Sequence, residues 1–487
     1  MALGYAQASG KIGACIVGPG PGLLNAGAAL CTAYGSNVPV ICIAGQIPSN
    51  QIGLGLGATH EIIDQSSAMR GVVKWVGRAD QPSDTPAVLH EAFSQMLGTR
   101  QLPVIFEMAP DIMGKTEDVS LMDVEDYDAA PEPDETALEE AAKLLGDAEN
   151  PMIFVGSGVF GAEAELQRLA ELLEAPVIMS RTGRGALTDR HYLAQNMITG
   201  QGLWETADVA LVIGTRFSSP GLAWGREGDV KLIRIDIDPA QAKLPREADI
   251  TAITSAKKAM PVLLEKIEPR NKKRESRKSE LNAAKADTIA KLEGLNPQFG
   301  FGKVIRDALP EDGVLVTDVT QMATYMQNWM PVYQPRTLIT PGYQATLGYG
   351  YPTALGAKVA LPEKKVVCIA GDGGFMFNVQ ELSSAVAHNI DVTCIVFADK
   401  AYGNVKRFQK EGYGGRHIAV DLHNPEFAKM AETYGMTGIY ADGPDALAAA
   451  LKETMDTPGP ALIEVPIGEV PNTWALIKRP SSAGNKS

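Results

Sequence analysis

Two aspartates stand where a charged ligand is most readily held. Residues 366–371 (VVCIAG) read as a buried strand running into Asp372, Gly373 and Gly374. A helix is expected over 379–387. A second apolar run (VTCIVFA) then ends at Asp399, 27 residues after Asp372, and continues into Lys400, Ala401, Tyr402, Gly403 and Asn404. Strand, crossover helix and strand make a parallel pair, so both strands end at one sheet edge, where ligands bind in such folds. Two carboxylates there suit a hard divalent cation such as Mg²⁺. Gly371, Gly373 and Gly374 let backbone and helix N-terminus approach a diphosphate. A capped Gly-rich turn is the better explanation of GDGG taken by itself; the strand-end Asp399 at that spacing favours the ligand site.

The elements that must position these residues fall into three α/β stretches. The first, residues 1–115, contains the strand-like runs VPVICIA and PVIFEM. An acidic, Pro-containing segment, 116–135, reads as an extended linker. The second stretch, 136–267, opens with a helix and continues through PMIFVGSG, APVIMS, DVALVIGTRF and KLIRIDIDP. A charged segment, 268–295, reads as a solvated helix, and the third stretch, 296–487, holds VLVTDV, KKVVCIAGDGG, VTCIVFAD and PALIEVP. Apolar strands alternating with helices predict three domains with parallel sheets covered on both faces. A net charge of −14 disfavours nucleic acid and anionic membrane as partners. The five cysteines include no C-x-x-C pair and read as reduced thiols. No apolar run reaches the length of a membrane span, about 18 residues, and no signal peptide is visible, so a cytoplasmic protein is expected.

With these motifs on one chain, the sequence resembles the acetolactate synthase and benzoylformate decarboxylase group of thiamin-diphosphate enzymes over nearly its whole length. A GDG followed at this distance by Asn or Asp at a strand end is that family's cofactor motif. MALGYAQASGKIGACIVGPGPGLLN resembles the helix, strand and GPG turn of the pyrimidine-binding domain, and TPGYQATLGYGYPTALGAKVALP its pyrimidine-contacting loop. The resemblance implies three domains: pyrimidine-binding, Rossmann-like and diphosphate-binding. It implies that Asp372, Asp399 and the Ala401 carbonyl hold Mg²⁺. It further implies that Gly373 and Gly374 face the diphosphate, and that Leu347 holds the cofactor bent. The Ala345 carbonyl and the Leu347 N–H would contact the aminopyrimidine, and Gln321 would lie near the diphosphate. Thiamin diphosphate would carry decarboxylation of a 2-oxo acid, ending in protonation or in addition to a second carbonyl. The family site lies between two chains, which implies a homodimer or homotetramer.

The chain departs from that pattern. Position 399 is Asp where many relatives have Asn, and Ala58, Thr59, His60 and Glu61 stand where the synthases carry a Phe-Gln-Glu segment. Lys74 matches an active-site lysine of the synthases, though a surface lysine explains it as well. Gly156, Ser157, Gly158, Val159, Phe160 and Gly161 form G-x-G-x-x-G after a strand, but the next strand ends at Ser180 and Arg181 without an acid. NAD is therefore not expected; FAD, held by some relatives in this domain, is admitted but not favoured. The family's activating glutamate precedes the segment that begins here at Met1, and Glu61 and Glu91 do not match its position. Either the true start lies upstream or the protein is a shortened relative with little catalysis. Three readings follow: a carboligase or decarboxylase, a non-catalytic relative, and a nicotinamide or flavin oxidoreductase. Cofactor-dependent turnover separates the first two, and bound-cofactor absorbance the third.

Overall fold

Short runs of Val, Ile, Leu and Cys with no polar alternation can satisfy both faces of a strand only inside a covered parallel sheet. The computed structural model, which describes residues 1–123, 127, 130–226 and 228–477, builds three such sheets. The first holds β1 (Gly13–Val17), β2 (Val40–Gly45), β3 (Trp75–Ala79) and β4 (Val104–Met108) in the order β1-β2-β4-β3. The second holds β5 (Pro151–Val155), β6 (Val177–Met179), β7 (Ala194–Gln195), β8 (Val209–Ile213), β9 (Lys231–Asp236) and β10 (Ile250–Ile253), ordered β10-β9-β8-β5-β6-β7. The third holds β11 (Val314–Thr317), β12 (Leu338–Ile339), β13 (Val366–Gly371), β14 (Thr393–Ala398), β15 (Thr437–Tyr440) and β16 (Ala461–Pro466), ordered β12-β11-β13-β14-β16-β15. All strand pairs named in these sheets are parallel. The expected three-domain α/β architecture is present.

Two features of these sheets position the site. In the third sheet the chain leaves β11 toward β12 and then returns on the other side as β13. The order therefore reverses between β11 and β13, which opens a crevice at their C-terminal ends. The register Gly371↔Phe397 brings the ends of β13 and β14 level. The second sheet reverses in the same way between β5 and β8, at Gly156 and Gly214.

One expectation about helices holds and one is corrected. The helix expected over 379–387 is present as Glu381–Ala387, preceded by a short helix Asp372–Phe375 and a 3₁₀ turn Met376–Asn378. In that turn the Asn378 amide donates to the Gly348 carbonyl at 2.7 Å, which ties the turn to a neighbouring loop. The charged segment does form a helix, Lys278–Glu293, but it is not wholly solvated. Leu281, Thr288 and Leu292 are buried, Leu281 in the core of the second domain and Leu292 in that of the third.

The first and third domains share one continuous apolar core, in which Leu3, Ala6, Leu23 and Leu30 meet Tyr349, Tyr351 and Ala354. The helix Ala2–Ser9 lies directly on the helix Gly350–Ala360. Its approach requires glycine on both sides: a Cβ on Gly4 would stand 2.0 Å from the Thr353 carbonyl oxygen, and one on Gly356 2.0 Å from the Met1 carbonyl oxygen. Backbone cannot yield as a side chain does, so a methyl here must part the helices. Gly356→Ala is expected to destabilise the fold by about 1–3 kcal/mol, and calorimetry should record a lower melting transition. Gly202→Ala, where a Cβ meets open space, should leave the transition in place or raise it slightly. Equal melting of the two variants would contradict this account of the helix contact.

Candidate active site

Three neighbouring strands deliver three acidic side chains to one edge: Asp318 follows β11, Asp372 follows β13 and Asp399 follows β14. Asp372 is buried. Its Oδ1 accepts the Gly373 N–H at 2.8 Å, and its Oδ2 accepts the Lys400 N–H at 2.7 Å and the Asn424 Nδ2 at 2.6 Å. The Asp399 Oδ1 accepts the Ala401 N–H at 3.1 Å. Burial, and then the adjacent Asp372 charge, push the Asp399 carboxyl up to about 7. Lys406 feels the Asp399 charge but places its Nζ on Asp421, 2.6 Å away. The two carboxylates, one buried and one half-buried, thus repel one another, and a divalent cation there would reverse the sign of the interaction.

The surroundings suit a cation that takes further oxygens from backbone and ligand. Among the described residues no group of three or more His, Cys, Asp and Glu side chains could hold a metal, so the pair alone would not complete a hard cation's shell. The Gln321 Oε1 is buried without a partner. A Cβ on Gly403 would stand 2.4 Å from the Asp399 Oδ2 and 3.1 Å from the Gln321 Nε2, which puts Gln321 beside the second carboxylate. Gly373 has a local reason to be glycine, since a Cβ there would lie 2.6 Å from the Tyr402 ring. The donor set therefore fits Mg²⁺ with an anionic oxygen ligand.

The loop containing Ala345 and Leu347 meets this edge. Ala345 is exposed and has φ +50°, a left-handed conformation for a residue other than glycine. Leu347 is half-buried and absent from the apolar cores, unlike an ordinary core leucine. Next to it, a Cβ on Gly348 would be 2.7 Å from the Phe377 Cβ and 3.4 Å from the Gly374 carbonyl oxygen. The loop and the turn after β13 are thus in contact. The loop also touches the first domain, where the Thr346 and Thr32 hydroxyls lie 2.7 Å apart. The fold brings together Gln321, Leu347, Gly371, Asp372, Gly373, Gly374, Asp399 and Ala401. Asn378, Asn424 and Asp318 join them and were missed. Asn378 and Asn424 lie in no recognisable spacing, and Asp318 reads as the end of an ordinary strand; its place at the order reversal was the available signal.

The first-domain candidates are engaged in local contacts of their own domain. The Glu61 carboxylate accepts the N–H groups of Gly55, Gly57 and Ala58 at 3.0, 2.7 and 2.9 Å, which ties down a Gly-rich loop. Glu91 is exposed and accepts the Gln95 amide. The Lys74 Nζ donates to the Thr99 Oγ1 and the Arg100 carbonyl, at the strand-start end of β3. Burial and the Arg100 charge lower its pKa.

In the second domain the G-x-G-x-x-G turn borders a cavity of about 740 Å³ whose wall includes Arg100, Arg181, Arg216, Lys257 and Arg336. The glycines of that turn are already explained by packing. A Cβ on Gly158 would be 2.7 Å from the Gly214 Cα, and one on Gly183 2.9 Å from the Gly156 Cα. β6 ends at Met179, next to Ser180, and the acid on this edge, Asp236, closes β9 instead.

Comparison with known proteins agrees with this arrangement. The profile described as the thiamine pyrophosphate enzyme N-terminal TPP binding domain matches residues 1–68; the central domain matches 138–263, and the C-terminal TPP binding domain 318–465. The chain is 30% identical to a probable acetolactate synthase large subunit of Methanococcus aeolicus, over 95% of this chain and 83% of that protein. It is 32% identical to the acetolactate synthase large subunit of Haemophilus influenzae, over 93% of this chain and 82% of the relative. With acetolactate synthase isozyme 3 large subunit of Escherichia coli it shares 30% identity over 94% and 83%. Three profiles in order, over three parallel sheets with the paired aspartates in the last, show that this chain belongs to the thiamin-diphosphate enzyme family and is acetolactate synthase-like within it.

Proposed function

We propose that this protein binds thiamin diphosphate with Mg²⁺ at the β11/β13/β14 edge and acts on a small 2-oxo acid, as a carboligase or decarboxylase. The mutually repelling pair of buried Asp372 and half-buried Asp399 at neighbouring strand ends carries the proposal. When bound, the cofactor supplies a nucleophilic carbon and an electron sink for loss of CO₂. Asp372, Asp399 and the Ala401 carbonyl would hold the cation. Gly371, Gly373 and Gly374 would leave the turn after β13 open to the diphosphate, and Gln321 would serve the same end of the cofactor. The Leu347 side chain would support the bound cofactor, and its N–H and the Ala345 carbonyl would orient the aminopyrimidine. No helix among the described residues is long and apolar enough to cross a membrane. The basic cavity of the second domain has room for a dinucleotide of the FAD class, but packing already accounts for its glycines, so a flavin is not favoured.

A second reading, a cofactor-binding relative with little turnover, is favoured by Glu61, whose carboxylate is occupied by three backbone N–H groups. Proton exchange at the cofactor C2, followed by NMR, tests it. On this second reading the chain exchanges that proton no faster than free cofactor does, whereas rapid exchange would refute it and agree with the principal reading.

The principal reading is tested by titration calorimetry and CO₂ release over a panel of 2-oxo acids. The parent should bind thiamin diphosphate only with Mg²⁺ and release CO₂ from at least one acid. Asp372→Ala removes a charged ligand and should lose both properties; undiminished cofactor affinity in that variant would show the site to be misplaced. We also propose that the protein is a homodimer or homotetramer. The exposed Leu54, Leu56 and Ile63 of the first domain, and Phe408 and Ile418 of the third, support association. Sedimentation at micromolar concentration should give two or four chains, and a stable cofactor-loaded monomer would refute this.

A further inference from the structure

Beneath the two turns assigned to the cofactor lies a carboxylate with no part in holding the metal. Asp318 is 1% exposed. Its Oδ2 accepts the Gly350 N–H at 3.1 Å, its Oδ1 accepts the Val319 N–H at 2.6 Å, and the Gly348 N–H also stabilises its charge. On its other side is the turn after β13, where a Cβ on Gly374 would be 3.3 Å from the same Oδ2. One carboxylate therefore touches both the loop of Leu347 and the turn of Gly373 and Gly374, at the point where the strand order reverses.

The titratable groups facing it are Tyr349, on the loop it holds, and Cys368, on β13. Burial keeps both neutral, and the Tyr349 hydroxyl is engaged with Gln7 and with the Thr340 carbonyl. Backbone N–H groups, with no cationic side chain among the groups that shift it, offset the cost of burying the charge. Burial outweighs them and lifts the carboxyl from 3.8 to about 6.

We propose that Asp318 is a positioning residue for the cofactor: as a carboxylate it clasps the N–H groups of Gly348 and Gly350, and so sets the separation of the two cofactor turns. The proposal rests on the thiamin-diphosphate reading of those turns. Protonation turns one oxygen from acceptor to donor, releases part of the clasp and loosens the Leu347 loop. The sign for the empty protein is the opposite. Its folded carboxyl titrates above its unfolded value, so ionisation of Asp318 takes stability away as pH rises from 3.8 to about 6. A residue kept only for stability would not be built this way.

The test compares Asp318→Asn with the parent by calorimetric titration of thiamin diphosphate in saturating Mg²⁺, at two pH values. Loss of charge-assisted bonds predicts affinity about 10- to 100-fold weaker in the variant near pH 8, with the ratio falling toward one below about pH 6. Other groups that titrate, on the cofactor and at the metal, cancel in that ratio. The melting temperature of the cofactor-free variant near neutral pH should not fall. A ratio that is the same at both pH values, or equal affinities throughout, overturns the proposal while leaving the cofactor site intact. A parent that binds no thiamin diphosphate overturns both. Should Asp318→Asn not fold, Gly374→Ala applies pressure to the carboxylate without removing it. The acid limb of cofactor affinity should then move to higher pH, and an unmoved limb counts against the proposal.

Discussion

Like charges crowded at one edge of a parallel sheet are the constraint on which the site depends. Every strand of the third sheet points the same way, so whatever follows β11, β13 and β14 arrives at a single edge. What arrives is Asp318, Asp372 and Asp399. Burial of carboxylates is costly, and two of these groups are held above the usual carboxylate range. The protein answers the cost in two ways. For Asp318 it supplies backbone N–H groups, and the charge is put to use holding a loop. For Asp372 it supplies the Gly373 and Lys400 N–H groups and the Asn424 amide, while Asp399 stays above the usual carboxylate range beside that charge. A fold free to choose would have placed amides here, so the carboxylates mark the edge as functional.

Close backbone approach is the second constraint, and it works through glycine. Gly348 lets the Leu347 loop rest on the turn after β13, while Gly4 and Gly356 let the first and third domains share a core. The second domain uses the same device at its own order reversal, where Gly156, Gly158, Gly183 and Gly214 pack on one another. That packing explains a dinucleotide-like spacing without a dinucleotide. The motif indicates a tight strand-to-turn approach, and only the surrounding cavity, with its arginines and lysine, bears on a ligand.

Much of this was legible in the residues. The buried strands and their parallel pairing followed from unbroken apolar runs between helices, and the spacing of Asp372 and Asp399 followed from a strand–helix–strand count. The family resemblance supplied Leu347, Ala345 and Gln321, which spacing would not have singled out. Other features were not legible. A short helix and a 3₁₀ turn fill residues 372–378, where Asn378 bonds a carbonyl thirty residues earlier in the chain. The charged helix is partly buried because two domains close on it. Glu61 is a carboxylate in sequence and a loop fastener in the fold.

The sequence by itself determined the elements and which of them end in acids, because hydrophobic period and local turn chemistry act over a few residues. It also determined the family, because the motifs recur in order along the chain. The tertiary structure decided which acid does what. Asp318, Asp372 and Asp399 are the same side chain at three strand ends. One meets the backbone N–H groups of Gly348 and Gly350, one an asparagine amide 52 residues further along the chain, and one the charge of its neighbour. Electrostatic environment is set by what lies within a few ångströms in space, and those neighbours are distant in sequence.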